Sequence, residues 1–270
     1  MKIAFIGAGN MATALIGGLI KRGTPSSNLY AIDPSDKARA HLVRQYPVYT
    51  SKSTDALLID CDAIIIAVKP QMMKDAVKSI VPWLHSQLII SIAAGIRAAD
   101  ISHWLNGYSR VIRTMPNTPA LIGMGVTGLL ALDSVDNAGR ALAEWILRAV
   151  GEIIWCKDES KINAVTAIFG SGPAYVFYFI EALQCAAREL GLDDKQTNTL
   201  ALFTFTGAAQ LAVQSGESAT VLRKRVTSKG GTTAAAIESF EGDGISAAIV
   251  RGALAAYARA IQMGDIFGKQ

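Results

Sequence analysis

KIAFIGAGNMA, Lys2 to Ala12, decides the fold of this chain. Ile3–Ile6 is a short apolar run of the kind that forms a strand buried on both faces. Gly7 permits a tight turn at its end, Gly9 lets the backbone approach a pyrophosphate, and Ala12 supplies the third small residue, against the sheet. A helix beginning near Asn10 then points its free N–H groups at the phosphates. The stretch Ile6, Gly7, Ala8, Gly9, Asn10 and Met11 is therefore the first candidate for cofactor contact. Asp33, at the end of the next strand, suits a free ribose 2′-hydroxyl and points to NAD(H). Ser35, Lys37 and Arg39 follow closely and suit either a 2′-phosphate or the plain polar start of a helix. The sequence leaves NADPH or NADH open.

The same grammar continues to about Lys157. Strands are expected at Leu29–Ile32, Ala63–Val68, Leu88–Ser91, Val111–Thr114, Val126–Leu130 and Ile153–Trp155. Helices are expected between them at Ala12–Lys21, Lys37–Gln45, Met73–Val81 and Asn137–Val150. Alternation of this kind gives an α/β fold with an N-terminal Rossmann-type, doubly wound sheet. Ligands in such sheets bind outside the carboxyl ends of the strands. AVKPQ lies there, with Ala67, Val68, Lys69 and Pro70. Pro70 imposes an extended backbone on Lys69, whose side chain is either a proton donor or a solvated lysine. SIAAGI, with Ala93, Ala94 and Gly95, repeats the small-residue edge one strand later. RTMPNTP ends the next strand; its Asn117 bonds cofactor or substrate, or stabilises the turn.

After about Asp158 the strands stop. Ile162–Leu190, Gln196–Gln214 and Gly244–Met263 are alanine-rich and helical. The division is 1–158 for a dinucleotide-binding domain and 159–270 for an all-helical domain. Helices apolar nearly all round must be buried, and this half offers too little interior for three of them. It packs against a second copy of itself or, alternatively, fully onto the sheet domain.

Composition narrows the classes. Of the 270 residues, 51% are hydrophobic, yet no uninterrupted apolar stretch reaches spanning length. Ala164–Leu183 comes nearest, and Gly170, Gly172, Pro173 and Glu181 break it. Met1 and Lys2 run straight into a strand, leaving no room for a targeting peptide. Three cysteines without metal spacing and three unclustered histidines argue for a cytoplasmic, reduced protein with no metal. A net charge of +4 without long basic runs gives no reason to expect a nucleic-acid or membrane partner. Arg223, Lys224 and Arg225 read as a solvated helix face.

VTSKGGTT, Val226 to Thr233, is the most distinctive segment in the second half. Gly230 and Gly231 free a turn, Ser228, Thr232 and Thr233 carry hydroxyls, and an apolar helical pattern follows from Ala234. Such a turn presents amide N–H groups at a helix start, where a small carboxylate binds. The plainer reading is ordinary N-capping by threonine.

GAGNM, AVKPQ, SIAAGI, MPNTP, GSGPAY (Gly170–Tyr175) and VTSKGGTT, in that order, resemble the pyrroline-5-carboxylate reductase family over essentially the whole chain. The resemblance implies hydride transfer from NADPH or NADH to the cyclic imine 1-pyrroline-5-carboxylate, giving L-proline. It implies that amides around Gly231 and Thr232 hold the substrate carboxylate and that Thr233 sits beside the ring nitrogen as the catalytic hydroxyl. Ser228 and Gly230 shape the turn, and Glu159 helps line the site. It further implies a homodimer through the helical domain, with higher ring assembly in some members. Two positions depart from the family pattern: Lys229 stands where proline is usual and Phe169 where serine is usual. No histidine or carboxylate in these segments is an obvious general acid, so solution protonation of the imine is expected to do much of that work. A 3-hydroxyacid dehydrogenase or related imine reductase is the nearest enzyme alternative. Hydroxyacid enzymes usually carry a catalytic lysine on the first long helix after the sheet, which NAVTAIFGSGPAY lacks. A non-catalytic nucleotide sensor would need no second turn such as VTSKGGTT.

Overall fold

A computed structural model describes residues 1–268. Eight strands, β1 (Ile3–Ile6), β2 (Leu29–Ile32), β3 (Tyr49–Ser51), β4 (Ala63–Ile66), β5 (Leu88–Ser91), β6 (Val111–Met115), β7 (Gly125–Ala131) and β8 (Gly151–Trp155), form one sheet. Their order is β3-β2-β1-β4-β5-β6-β7-β8, so the chain reverses direction across the sheet between β1 and β4. That reversal is the switch point at which open α/β sheets open a crevice for a ligand. The helices that follow the strands are α1 (Asn10–Lys21), α2 (Asp36–Gln45), α3 (Met73–Ile80), α4 (Ala98–Trp104) and α5 (Asn137–Leu147).

The strand pleat sorts side chains into two cores. Ile3, Phe5, Ala63, Ile65, Leu88 and Ile90 pack on one face with Leu15, Leu19 and Ile146. Ala4, Ile6, Ile64, Ile66 and Ile89 pack on the other with Met73, Val77 and Ile101. Every residue of β1, β4 and β5 is buried, which explains why these strands read as unbroken apolar runs rather than alternating ones.

Several details differ from the sequence reading. Strand β4 stops at Ile66 rather than Val68: Ala67 makes a last bond to Ile6 O, and the chain then turns into the short helical turn Pro70–Met72. β3 and α4 are additions to the sequence reading: β3 is a three-residue edge strand with no buried residue, and α4 carries its buried Ala98, Ile101 and Trp104 at helical spacing over only seven residues. The sheet is not wholly parallel: β7 runs antiparallel to β6, and β8 is parallel to β7. Segment 116–124 is too short for a parallel crossover, which needs about a dozen residues or more.

Beyond the sheet come α6 (Glu159–Val165), a π-helical turn at Thr166–Gly170, α7 (Gly172–Glu189), α8 (Asp194–Ser215), α9 (Ala219–Arg225), α10 (Thr232–Gly242) and α11 (Ile245–Gly268). The expected single helix from Ile162 to Leu190 is thus interrupted, with Gly170, Gly172 and Pro173 at the break. The described chain divides into two compact units, one of residues 1–171 with 255–268 and the other of residues 172–254. In the second unit α7 packs on α8, where the Gln184 side-chain amide donates to Asn198 at 2.8 Å. Helix α8 starts with a reciprocal capping box between Asp193 and Gln196. This unit has almost no interior of its own. Ile180 and Ala201 are its buried hydrophobic residues, while Tyr178, Phe203 and Val213 are 71%, 72% and 83% exposed. No single helix among the described residues is long and apolar enough to cross a membrane.

Candidate active site

The carboxyl edge of the sheet gathers the residues singled out in the first half. The Gly7 N–H donates to Ile32 O at 2.7 Å, and the Ala67 N–H donates to Ile6 O at 2.7 Å. The Ile92 N–H donates to Ile66 O at 3.2 Å. The loops after β1, β2, β4 and β5 therefore leave the sheet side by side. Gly7 has φ +105, and a Cβ placed there would lie 2.5 Å from Ala67 O. Glycine is required here by both the dihedral and the neighbour. Gly9 is the opposite case: it caps α1 with ordinary angles, and a Cβ there would meet nothing within 4 Å. Open space over the first turn of α1 fits the approach of a pyrophosphate. Asn10 is exposed beside it, Met11 half-buried, and Ile6 and Ala8 buried beneath.

Asp33 ties the first two loops together. Its Oδ2 accepts from the Ala8 N–H and its Oδ1 from the Ser35 N–H, both at 2.8 Å. Ser35 caps α2 by accepting from the Ala38 N–H at 3.2 Å. Arg39 folds back to donate to Asp33 O and pairs with Asp36, while Lys37 is exposed. Lys69 has the extended backbone that Pro70 imposes (φ −64, ψ 149), and its side chain is exposed.

Farther along the edge, the Ala93 N–H donates to Ser91 Oγ at 3.3 Å, and Gly95 has φ +75. Asn117 is buried and doubly used. Its Nδ2 donates to Phe169 O at 3.2 Å, and its Oδ1 accepts from the Val126 N–H at 3.1 Å. It thereby fastens the turn after β6 to the π-helical segment. Glu159, at the start of α6, pairs with Arg113 and accepts from the Ala98 N–H at 3.1 Å. Arg113, unnoticed in the sequence, is 2% exposed; burial pulls its guanidinium below its usual pKa, and the Glu159 carboxylate opposes that shift.

In the second unit, the Val226–Thr233 segment forms a turn that leads into α10. Gly230 has φ +72, and the Gly231 N–H donates to Ser228 O at 3.0 Å. Ser228 Oγ lies 2.6 Å from where a Gly231 Cβ would stand, so the serine packs on the turn. Gly231 is the N-cap and no side chain caps the helix, so neither threonine serves the simple capping role. The amides of Thr232, Thr233 and Ala234 lie in the first turn, where no intrahelical acceptor reaches them. Thr233 is half-buried. Among the described residues, no group of three or more His, Cys, Asp or Glu side chains is placed to hold a metal ion.

Similarity to known proteins follows this geometry. A Pseudomonas aeruginosa pyrroline-5-carboxylate reductase is 42% identical over 269 residues, covering 99% of this chain and 98% of that protein. The chain belongs to the pyrroline-5-carboxylate reductase family. A Vibrio alginolyticus member of that family is 39% identical, with 98% of each chain covered. Residues 159–263 match the family model described as pyrroline-5-carboxylate reductase dimerisation. Residues 2–95 match the one described as NADP oxidoreductase, coenzyme F420-dependent. A solved pyrroline-5-carboxylate reductase from Coxiella burnetii superposes with a TM-score of 0.91 at 37% identity, covering 97% of this chain and 98% of that one. The Plasmodium falciparum enzyme, solved with NADP bound, gives 0.87 at 29% identity, with 98% of each chain covered.

Proposed function

We propose that this family member reduces 1-pyrroline-5-carboxylate to L-proline with NADPH or NADH. One observation carries the reading: an uncapped helix start at Thr232–Ala234 follows a double-glycine turn, in a chain with a dinucleotide edge. The amides of Thr232 and Thr233 hold the substrate carboxylate, while Gly230, Gly231 and Ser228 give the turn its shape. The Gly231 N–H is occupied by Ser228 O, so it supports the turn rather than the substrate. The dinucleotide supplies the hydride that adds to the imine carbon. The ring nitrogen, as it becomes a secondary amine, is oriented by the Thr233 hydroxyl, which both donates and accepts hydrogen bonds without ionising. The imine's proton comes from solvent.

On the nucleotide side, Gly7 and Gly9 shape the pyrophosphate loop and the α1 amides bind it. Ile6, Ala8, Asn10 and Met11 flank it, Asp33 and Ser35 meet the adenosine ribose, and Ala67–Pro70 and Ala93–Gly95 frame the nicotinamide side, with Asn117 holding the turn after β6. Residues 1–158 then act as the dinucleotide-binding domain and 159–270 as the substrate-binding and dimerisation domain. The exposed apolar helices of 172–254 support a homodimer, because a second copy is the simplest cover for Tyr178, Phe203 and Val213. Assembly into larger rings and a cytoplasmic location complete the proposal; neither nucleic acid nor membrane is a partner.

The test is a substrate panel with each cofactor: pyrroline-5-carboxylate, a set of 3-hydroxy acids, and cofactor alone by titration. Turnover restricted to the imine supports the reading. Turnover of 3-hydroxy acids, or dinucleotide binding with no turnover at all, refutes it.

A further inference from the structure

We propose that Glu159 is a positioning residue for the dinucleotide loop 92–96, acting through the Ala98 amide with Arg113 as its counter-charge, and that it does not contact the substrate. The proposal rests on the functional reading only in taking that loop's ligand to be a dinucleotide.

Both carboxylate oxygens of Glu159 are spent within the protein. Oε2 pairs with Arg113 Nη1, and Oε1 accepts the Ala98 N–H at 3.1 Å. Arg113 projects from β6, is 2% exposed, and gives its Nη2 to Asn163 Oδ1 at 3.2 Å, while its Nε has no partner. A buried guanidinium with one donor unmatched cannot release the carboxylate paired with it without losing most of its compensation. Glu159 is therefore locked in place, with both oxygens held by protein partners.

What the lock holds is the chain leaving β5. Helix α4 begins at Ala98, and its N-cap, Arg97, provides no side-chain bond. Glu159 supplies the missing acceptor for the first helical amide from another element. The loop is gripped on its other sides as well. Ser91 Oγ receives the Ala93 N–H, Arg97 pairs with Asp265, and a Cβ on Gly95 would lie 2.8 Å from Met263 Cβ. Ala93–Gly95 thus reaches a dinucleotide already ordered, and the ordering cost is not charged to binding. The sequence signal was present in Arg113 of RTMPNTP, a full charge inside an apolar strand.

The experiment uses the full-length protein and two double variants that remove the buried charge pair without leaving either partner alone. In Arg113→Met with Glu159→Leu, the Ala98 amide loses its acceptor. In Arg113→Met with Glu159→Gln, an acceptor is restored. NADPH Kd is measured by fluorescence titration well below the melting temperature, and imine KM at saturating NADPH. The first variant is expected to bind NADPH about tenfold more weakly, because binding then has to order the loop, with imine KM within about twofold of the parent. The second should recover most of the lost affinity. An unchanged NADPH Kd in the first variant overturns the proposal, as does failure of the second to recover it. A rise in imine KM as large as the rise in NADPH Kd also overturns it, because it places Glu159 on the substrate. Should the Met–Leu chain not fold, Glu159→Asp keeps the charge but shortens the reach to Ala98, and the same contrast between Kd and KM decides. Parent protein that binds NADPH but leaves the imine unreduced refutes the functional reading alone; the Kd contrast still judges the lock. Parent protein that binds no dinucleotide overturns both.

Discussion

Gly9→Ala should separate cofactor binding from folding. Gly9 sits at φ −77 and ψ −177, angles open to any residue, and a methyl there meets no atom within 4 Å. Replacing glycine by alanine at a helix cap costs about 0.5–1 kcal/mol. The stiffer unfolded chain returns about 0.4–1 kcal/mol. The two nearly cancel, so the melting temperature should move by no more than about 2 °C. Binding is different, because the methyl fills the space through which a pyrophosphate reaches the α1 amides. Losing two charge-assisted hydrogen bonds at about 1.5 kcal/mol each weakens binding by about 3 kcal/mol, or roughly a hundredfold in Kd. Calorimetric titration with NADPH beside a thermal melt measures both. A Kd within about threefold of the parent would refute the placement of the phosphates. A large loss of stability would refute the claim that the space is empty.

Gly7→Ala should do the reverse. Its positive φ and the Ala67 carbonyl 2.5 Å from the new Cβ together cost about 4 kcal/mol of stability, and a melt unchanged within about 2 °C would contradict this. Thr233→Ala should fold normally and lose roughly 2–4 kcal/mol of transition-state stabilisation, by analogy with removal of one positioned donor; a kcat/KM near that of the parent would remove Thr233 from the chemistry. Burial raises the Cys61 thiol from 9.0 to about 11, so the folded state holds its proton where the unfolded chain has released it. The associated stability is intact below about pH 9 and fades as the pH rises toward 11, by about 2 kcal/mol. Melts of Cys61→Ala and parent should therefore converge or cross over that window, and a difference independent of pH would contradict the assignment.

The sheet was legible because burial on both faces leaves a plain mark: β1, β2 and β5 were read from sequence to the residue. The antiparallel β7 was readable in principle from the short 116–124 link, but its composition matches that of its parallel neighbours. Short elements escaped: β3 has three residues and none buried, and the spacing of Ala98, Ile101 and Trp104 in α4 runs for only two turns. In the site, the fingerprint already gave Gly7 the tight turn and Gly9 the open approach, and the φ of +105 at Gly7 and the empty space at Gly9 agree with that division. Asn117 and Glu159 illustrate the limit most sharply. Asn117 at a strand end suited either ligand contact or a turn, and only the family resemblance placed Glu159 at the site; in the structure their bonds run to Phe169, Val126, Arg113 and Ala98. Those partners lie 9 to 61 residues away, beyond the reach of any local pattern.

The central claim is tested most directly by mixing the protein with pyrroline-5-carboxylate and NADPH or NADH, following absorbance at 340 nm, and assaying proline in the same samples. The account predicts cofactor oxidation matched by an equal amount of L-proline with at least one of the two dinucleotides. Folded protein that binds a dinucleotide but forms no proline with either would contradict it.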